Sequence, residues 1–202
     1  MSSRDKILTT VKGNQPAPRD LPPHYTAPAA PGDDLTPHFI KVLEAIGGSA
    51  FLVSGYDRIA TILHEQYPGA KRIITTCPHL TTFAAAITGD PHTFEDVDLA
   101  VLPAHFGVAE NGACWLTESQ MLERALPFIT QHLALIIHRN DIVATMHQAY
   151  DRIADTPYNF STFIAGPSKT ADIEQSLVLG AHGPKSLTVF LLDEHLSDAG
   201  FY

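Results

Sequence analysis

Basic residues, cysteines and long apolar runs are all scarce in this 202-residue sequence, and each shortage removes a class of function. Lys and Arg number 13 against 22 Asp and Glu, for a formal net charge of -9. Nucleic-acid binding rests on clustered cations that displace counterions from phosphates. Here the cations are few and spread out, which excludes a general nucleic-acid binder while leaving room for a small anionic ligand. Cysteine occurs twice, at Cys77 and Cys114. A four-thiolate iron–sulfur or zinc site needs twice that number, so no cluster cofactor is expected in this chain and any such centre belongs to a partner. The two thiols share no motif spacing and read as buried free cysteines rather than a redox pair. Apolar runs such as Leu133 to Ile137 fall far short of the roughly 20 residues of a bilayer span. The opening MSSRDKILTTVKGN has neither the apolar stretch nor the small-residue cleavage site of a signal peptide. The expectation is a cytoplasmic protein with no membrane span.

What is present suits one packed core. Hydrophobic residues make up 45% of the chain, enough for a single domain once a flexible end is set aside. That end is residues 1–36. Arg4 to Val11 can form a short helix, and Gln15 to Pro37 reads QPAPRDLPPHYTAPAAPGDDLTP, an extended arm because proline removes backbone donors. Residues 37–202 are expected to form one α/β domain. Thr36 can cap a helix with Pro37 in its first turn, placing Phe39, Leu43 and Ile46 on one face before Gly47-Gly48 ends it. Strands are predicted over Ser49 to Val53, Lys71 to Thr76, Asp98 to Leu102, Gly107 to Leu116, Leu133 to His138, Phe160 to Ala165 and Leu187 to Leu192, the fourth interrupted by the turn-forming Asn111-Gly112. Helices are predicted over Ile59 to Tyr67, Leu80 to Ile87, Ser119 to Leu126 with Ser119 as cap and Pro127 as its kink or end, Asp141 to Ile153, and Thr170 to Leu179. Short apolar strands alternating with helices imply a mostly parallel sheet covered on both faces. Ligands then belong beyond the carboxyl ends of the strands, which singles out the loops Thr76 to Thr82, Pro103 to Gly112 and Gly166 to Asp172.

The last of these loops opens the segment GPSKTADIEQSLVLGAHGPKSLTVFLL, from Gly166 to Leu192. It resembles the C-terminal signature of the lactate utilization protein C family, which carries a LUD domain. The likeness extends more loosely to the Arg4 to Leu8 helix, the long arm, DLTPHFIKVLEAIGG and GVAENGA. The resemblance implies a three-layer α/β/α fold of the NagB/RpiA/CoA transferase-like class. It also implies a component of a system oxidising L-lactate to pyruvate, whose iron–sulfur clusters reside in Cys-rich partner subunits. This chain would then supply a structural or ligand-binding surface. The competing reading is a stand-alone enzyme, either a CoA transferase or a small phosphate-ester enzyme.

Four groups of residues carry candidate chemistry. After Gly166-Pro167, the hydroxyls of Ser168 and Thr170, the charge of Lys169 and the free amides of the expected helix can hold an anion, with Asp172 and Glu174 in its first turn; the same hydroxyls and carboxylates also serve simply as helix caps. The spacing is not that of a nucleotide-hydrolysing phosphate loop. His182, on a glycine-flanked loop, can act as an acid or base near neutral pH, or bond a neighbouring carbonyl. Glu110 in Glu110-Asn111-Gly112 resembles the nucleophilic glutamate of family I CoA transferases, while Asn-Gly is also an ordinary hairpin turn. His79 and His105 sit in the other candidate loops, without metal-ligand spacing.

Overall fold

The computed structural model describes residues 2–20, 34–86, 91–154, 156–173 and 176–193. Its first helix, α1 (Ser3–Gly13), is closed by a reciprocal cap: the Asp5 amide donates to Ser2 Oγ and the Ser2 amide to the Asp5 carboxylate. None of its residues is buried, so local capping rather than packing holds it. Residues 21–33 of the predicted arm lie outside the described residues. Helix α2 (Thr36–Ala45) starts one step differently from the prediction. Asp34, not Thr36, accepts the first amide, from Thr36 at 3.0 Å. Phe39 and Leu43 are fully buried as their spacing implies, and Gly47 ends the helix at φ +90.

Among the described residues, six strands make an all-parallel sheet. They are β1 (Ser49–Val53), β2 (Ile73–Thr75), β3 (Ala85–Ala86), β4 (Leu99–Pro103), β7 (His132–His138) and β12 (Ser186–Leu192), in the order β1-β12-β7-β4-β2-β3. Four more, β5 (Phe106–Val108), β6 (Ala113–Thr117), β8 (Ile142–Val143) and β9 (Ser161–Ile164), form a second, mixed sheet ordered β8-β5-β6-β9. A hairpin of β10 (Lys169–Ile173) and β11 (Ser176–Leu179) belongs to neither.

Strand alternation explains the layers. Even-numbered residues of β7 and β12, among them Ala134, Ile136, Phe190 and Leu192, face helix α3 (Tyr56–Gln66), which contributes Ile59, Ile62 and Leu63. Odd-numbered ones, including Leu133, Leu135, Leu187, Val189 and Leu191, face Phe39 and Leu43 of α2 together with Cys114 and Leu116 of β6. Burial on both faces accounts for the continuous apolar runs. The far side of the mixed sheet packs on helix α6 (Met146–Ile153) through Phe106, Val108, Trp115, Ala149 and Ile153. The fold is thus α/β with a mostly parallel central sheet, but a small sheet shares the second covering layer with α2. Gly112 allows this: at φ +68 it lets the β5–β6 turn approach α2 until an added Cβ would stand 3.1 Å from the Leu43 Cα.

Four predicted helices are corrected. Over Leu80 to Ile87 the chain makes one tight turn at Pro78–Leu80 and then enters β3 beside β2; Ile87 lies outside the described residues. The Ser119 to Leu126 stretch yields only α4 (Glu118–Met121), capped by Thr117 instead of Ser119 and stopped by Leu122 at φ 59. Pro127 falls in the first turn of a new short helix, α5 (Leu126–Ile129), where a missing N–H costs nothing. Ile142 pairs with Gly107 as a strand, so α6 begins only at Met146, where Thr145 Oγ1 accepts from the Gln148 amide at 3.3 Å. Thr170 to Leu179 is the β10–β11 hairpin, with Lys169 opposite Leu179 and Thr170 opposite Val178. A short apolar pattern fits either period, and strand pairing decides it for Ile142, for β3 and for the β10–β11 hairpin.

Candidate functional site

The signature segment was expected at the carboxyl edge of the sheet, and the structure places it at the amino edge. Gly166 follows β9 of the small sheet, and at φ +71 it packs against the turn after α2, where an added Cβ would meet the Ile46 carbonyl at 3.1 Å. From there the two halves of the signature clasp each other. The Ser168 amide donates to the Pro184 carbonyl at 2.9 Å and the Gly180 amide to the Ser168 carbonyl at 3.0 Å. A Cβ on Gly183 would lie 3.1 Å from that of Ser168, and the Lys185 amide donates to the Gln131 carbonyl just ahead of β7. Pro167 and Pro184 are buried in this buckle.

The anion site drawn from the sequence relied on a helix starting near Thr170. No helix begins there: Lys169 and Thr170 are ladder residues of β10, so the amides and dipole that would attract an anion are absent from this loop. Asp172 lies on the backbone of β10, and Glu174 lies outside the described residues. Lys169 and His182 are exposed. The buckle brings Ser168 beside the turn that carries His182. Glu110 is elsewhere. Its carboxylate accepts the Met146 amide at 2.8 Å, which stabilises the start of α6, while the Asn111 side chain accepts from the Ala113 amide at 3.0 Å to set the hairpin turn.

The carboxyl edge is occupied by structural bonds. His105 Nε2 lies 3.0 Å from Thr117 Oγ1 and 2.6 Å from the Gln120 side-chain nitrogen, while its ring lies 4.7 Å from that of Trp115. The Thr117 hydroxyl also donates to the Gln120 carbonyl oxygen, so Gln120 ties the imidazole to the start of α4. Burial holds the His105 pKa down, helped by the charge of Arg152. His79 stacks on Tyr56 at 4.4 Å. Arg139, after β7, grips Asp34 and Asp193 at 2.6 Å each, joining the start of α2 to the end of β12.

Neither cysteine is placed for metal or redox work. Cys77 (3% exposed) packs on the α3 side of the central sheet and Cys114 (0%) on the opposite side, so the sheet separates them. Burial pushes the Cys77 thiol up and that of Cys114 up to about 12. Among the described residues no three His, Cys, Asp or Glu side chains converge as metal ligands.

Sequence reasoning missed a polar cleft of 440 Å³ at the amino edge of the sheet, lined by Tyr67, Asp98, His132, Ser186 and Thr188 among others. The available signal was a polar residue just ahead of each of two apolar strand runs, His132 before Leu133 and Ser186 before Leu187. Their adjacency depends on β7 and β12 being neighbours in register, which only the fold supplies.

Comparisons with known proteins agree with this architecture. The family model described as LUD domain matches residues 72–192. Lactate utilization protein C of Anoxybacillus flavithermus is 33% identical over 155 residues, covering 76% of this chain and 68% of that protein. Lactate utilization protein C of Bacillus pumilus is 31% identical over 106 residues, or 50% of this chain and 44% of that protein. Along the latter match the chain spans about half the relative's length. The uncharacterized protein YkgG of Escherichia coli is 22% identical over 161 residues, covering 77% of this chain and 68% of that protein. A crystal structure of a DUF162 family protein from Deinococcus radiodurans superposes with a TM-score of 0.61 at 17% identity, covering 79% of this chain and 96% of that one, a likeness of fold. Among the described residues, no helix is long and apolar enough to cross a membrane.

Proposed function

Because the chain belongs to the LUD domain family, we propose that it takes part in lactate utilization as a component without a cluster of its own, docking through its signature hairpin onto iron–sulfur partner proteins that oxidise L-lactate to pyruvate. The observation that carries this reading is the construction of the signature segment. Gly166 to Pro184 forms a braced buckle from which the β10–β11 hairpin stands apart from both sheets. Leu179 on this hairpin is 50% exposed, with Lys169 opposite it and His182 close by on the surface. A two-stranded ribbon outside both sheets, with an exposed apolar residue, favours strand or side-chain docking over chemistry. The thiol inventory supports the same division of labour, since two buried cysteines on opposite faces of a sheet do not make a four-thiolate site. Glu110, the nucleophile of the CoA-transferase alternative, is engaged in capping α6.

Complementation of a deletion strain on L-lactate tests the proposal. The wild-type chain and Glu110→Gln should both restore growth, whereas Leu179→Asp should fail despite an unchanged melting temperature. Growth with Leu179→Asp, or its loss with a folded Glu110→Gln, would contradict docking and favour an enzyme built around Glu110.

A further inference from the structure

The cleft at the amino edge of the central sheet plays no part in the reading above. Its walls come from the first residues of β1 and β12, from His132 opening β7, from Asp98 just ahead of β4, and from Gln66 to Ala70 at the exit of α3. The side chains of Ser186, Thr188 and His132 share the α3 face because β7 and β12 run parallel with Ser186 opposite His132. At this end of the face, α3 gives way to the Tyr67-Pro68-Gly69 turn, and polar side chains replace the apolar ones deeper in the layer.

Four of these side chains form one hydrogen-bonded chain. Thr188 Oγ1 lies 2.9 Å from the Tyr67 hydroxyl, that hydroxyl 3.1 Å from Ser186 Oγ, and Ser186 Oγ 2.7 Å from His132 Nδ1. The Tyr67 and His132 rings lie against each other at 4.8 Å. Burial, then the charge of Lys185, lowers the pKa of His132, so the imidazole is neutral near pH 7 and has two tautomers. With the proton on Nε2, Thr188 donates to Tyr67, Tyr67 to Ser186 and Ser186 to Nδ1, leaving a donor at Nε2 and an acceptor at Thr188. With the proton on Nδ1 every bond reverses, and so do the two ends. Asp98 adds an acceptor. Its hydrogen bonds from the Lys71 and Arg72 amides, at 2.7 and 3.0 Å, fall on Oδ2.

Such a wall offers donors and acceptors together, in either order. A carboxylate only accepts, a phosphate mainly accepts, and both would meet Asp98 as a like charge; an ammonium only donates. Ligand hydroxyls do both. Lys71 and Lys185 stand nearby as exposed residues outside the lining, and the charge of Lys71 is set against the Asp98 carboxylate. We infer that this cleft binds a neutral polyhydroxylated small molecule of the polyol or monosaccharide class, held by Asp98, His132 and the Tyr67, Ser186 and Thr188 hydroxyls. A volume of 440 Å³ is ample for one sugar ring, within the range of about 300–1,000 Å³ usual for ligand clefts.

Amide-resolved NMR titration of the full chain tests this with glycerol, ribitol, D-ribose and D-glucose as neutral probes, and L-lactate and inorganic phosphate as charged ones. At least one neutral probe should give saturable shifts confined to residues near 67–71, 98, 132 and 186–188. Ser186→Ala and Asp98→Asn should each weaken that binding roughly three- to tenfold, the loss expected for one hydrogen bond, while leaving the remaining spectrum in place. No saturable shift with any neutral probe, shifts elsewhere, or tighter binding of lactate or phosphate in the cleft would overturn the inference. Since the docking proposal is read from growth of the Leu179 variant, either can fail without the other.

Discussion

Gly166→Ala puts the buckle to a quantitative test. At φ +71 an alanine pays about 1–2 kcal/mol for the left-handed backbone that glycine adopts freely. Its Cβ would also press to 3.1 Å from the Ile46 carbonyl, a backbone atom that cannot swing aside, and to 3.2 Å from Ile46 Cγ1. Relieving that contact costs about 1 kcal/mol more. Alanine also stiffens the unfolded chain, which returns about 0.5 kcal/mol. The net destabilisation of about 1.5–2.5 kcal/mol corresponds to a fall in melting temperature of about 3–10 °C for a chain of this size. Thermal unfolding followed by circular dichroism reads it directly, with Gly13→Ala as control: Gly13 meets nothing within 4 Å and sits in a helix that buries nothing, so its melting temperature should not move. An unchanged melting temperature for Gly166→Ala would refute the packing of the signature on the α2 turn.

Leu43→Ala removes a fully buried side chain at the junction of both sheets and should cost about 2–5 kcal/mol in urea unfolding. Both thiols should stay unreactive toward iodoacetamide in the native protein and alkylate only on unfolding; rapid native labelling would contradict their burial. Incubation with acyl-CoA should leave no hydroxylamine-sensitive adduct on Glu110, checked by mass spectrometry. The pH dependence follows from His105 and His132, whose folded pKa values lie below the ordinary 6.5. Each contributes stability that is fully present above that value and is lost as pH falls through the folded pKa. Melting temperature should therefore decline from pH 7 towards pH 5, and less steeply in the His105→Gln, His132→Gln double variant; equal slopes would show that neither imidazole is linked to folding.

The strands were the most legible part of the sequence. Ser49 to Val53 was bounded correctly because glycines close the apolar run at both ends, and β7 and β12 each differ from the prediction by one polar residue at the start. The short helices were not legible, because Ile142 takes its conformation from Gly107, far away in sequence, and Lys169 to Leu179 folds back on itself as a hairpin that its apolar spacing does not distinguish from a helix. That single misreading moved the signature from a helix start suited to anions to a hairpin. Glu110 was visible as a turn residue, yet its bond to Met146 lies 36 positions away and no local pattern reports it. The cleft draws Tyr67, Asp98, His132 and Ser186 from four separate elements, so only the parallel register assembles it. The same holds for Arg139, which reaches back 105 positions to Asp34.

The role of the signature hairpin as a docking element is tested most directly by anaerobic affinity purification of the full chain from its own host grown on L-lactate. Cys-rich iron–sulfur proteins should co-purify with the wild type and be lost with a folded Leu179→Asp variant. Recovery of the wild-type chain alone, or equal recovery of those partners by both chains, would contradict it.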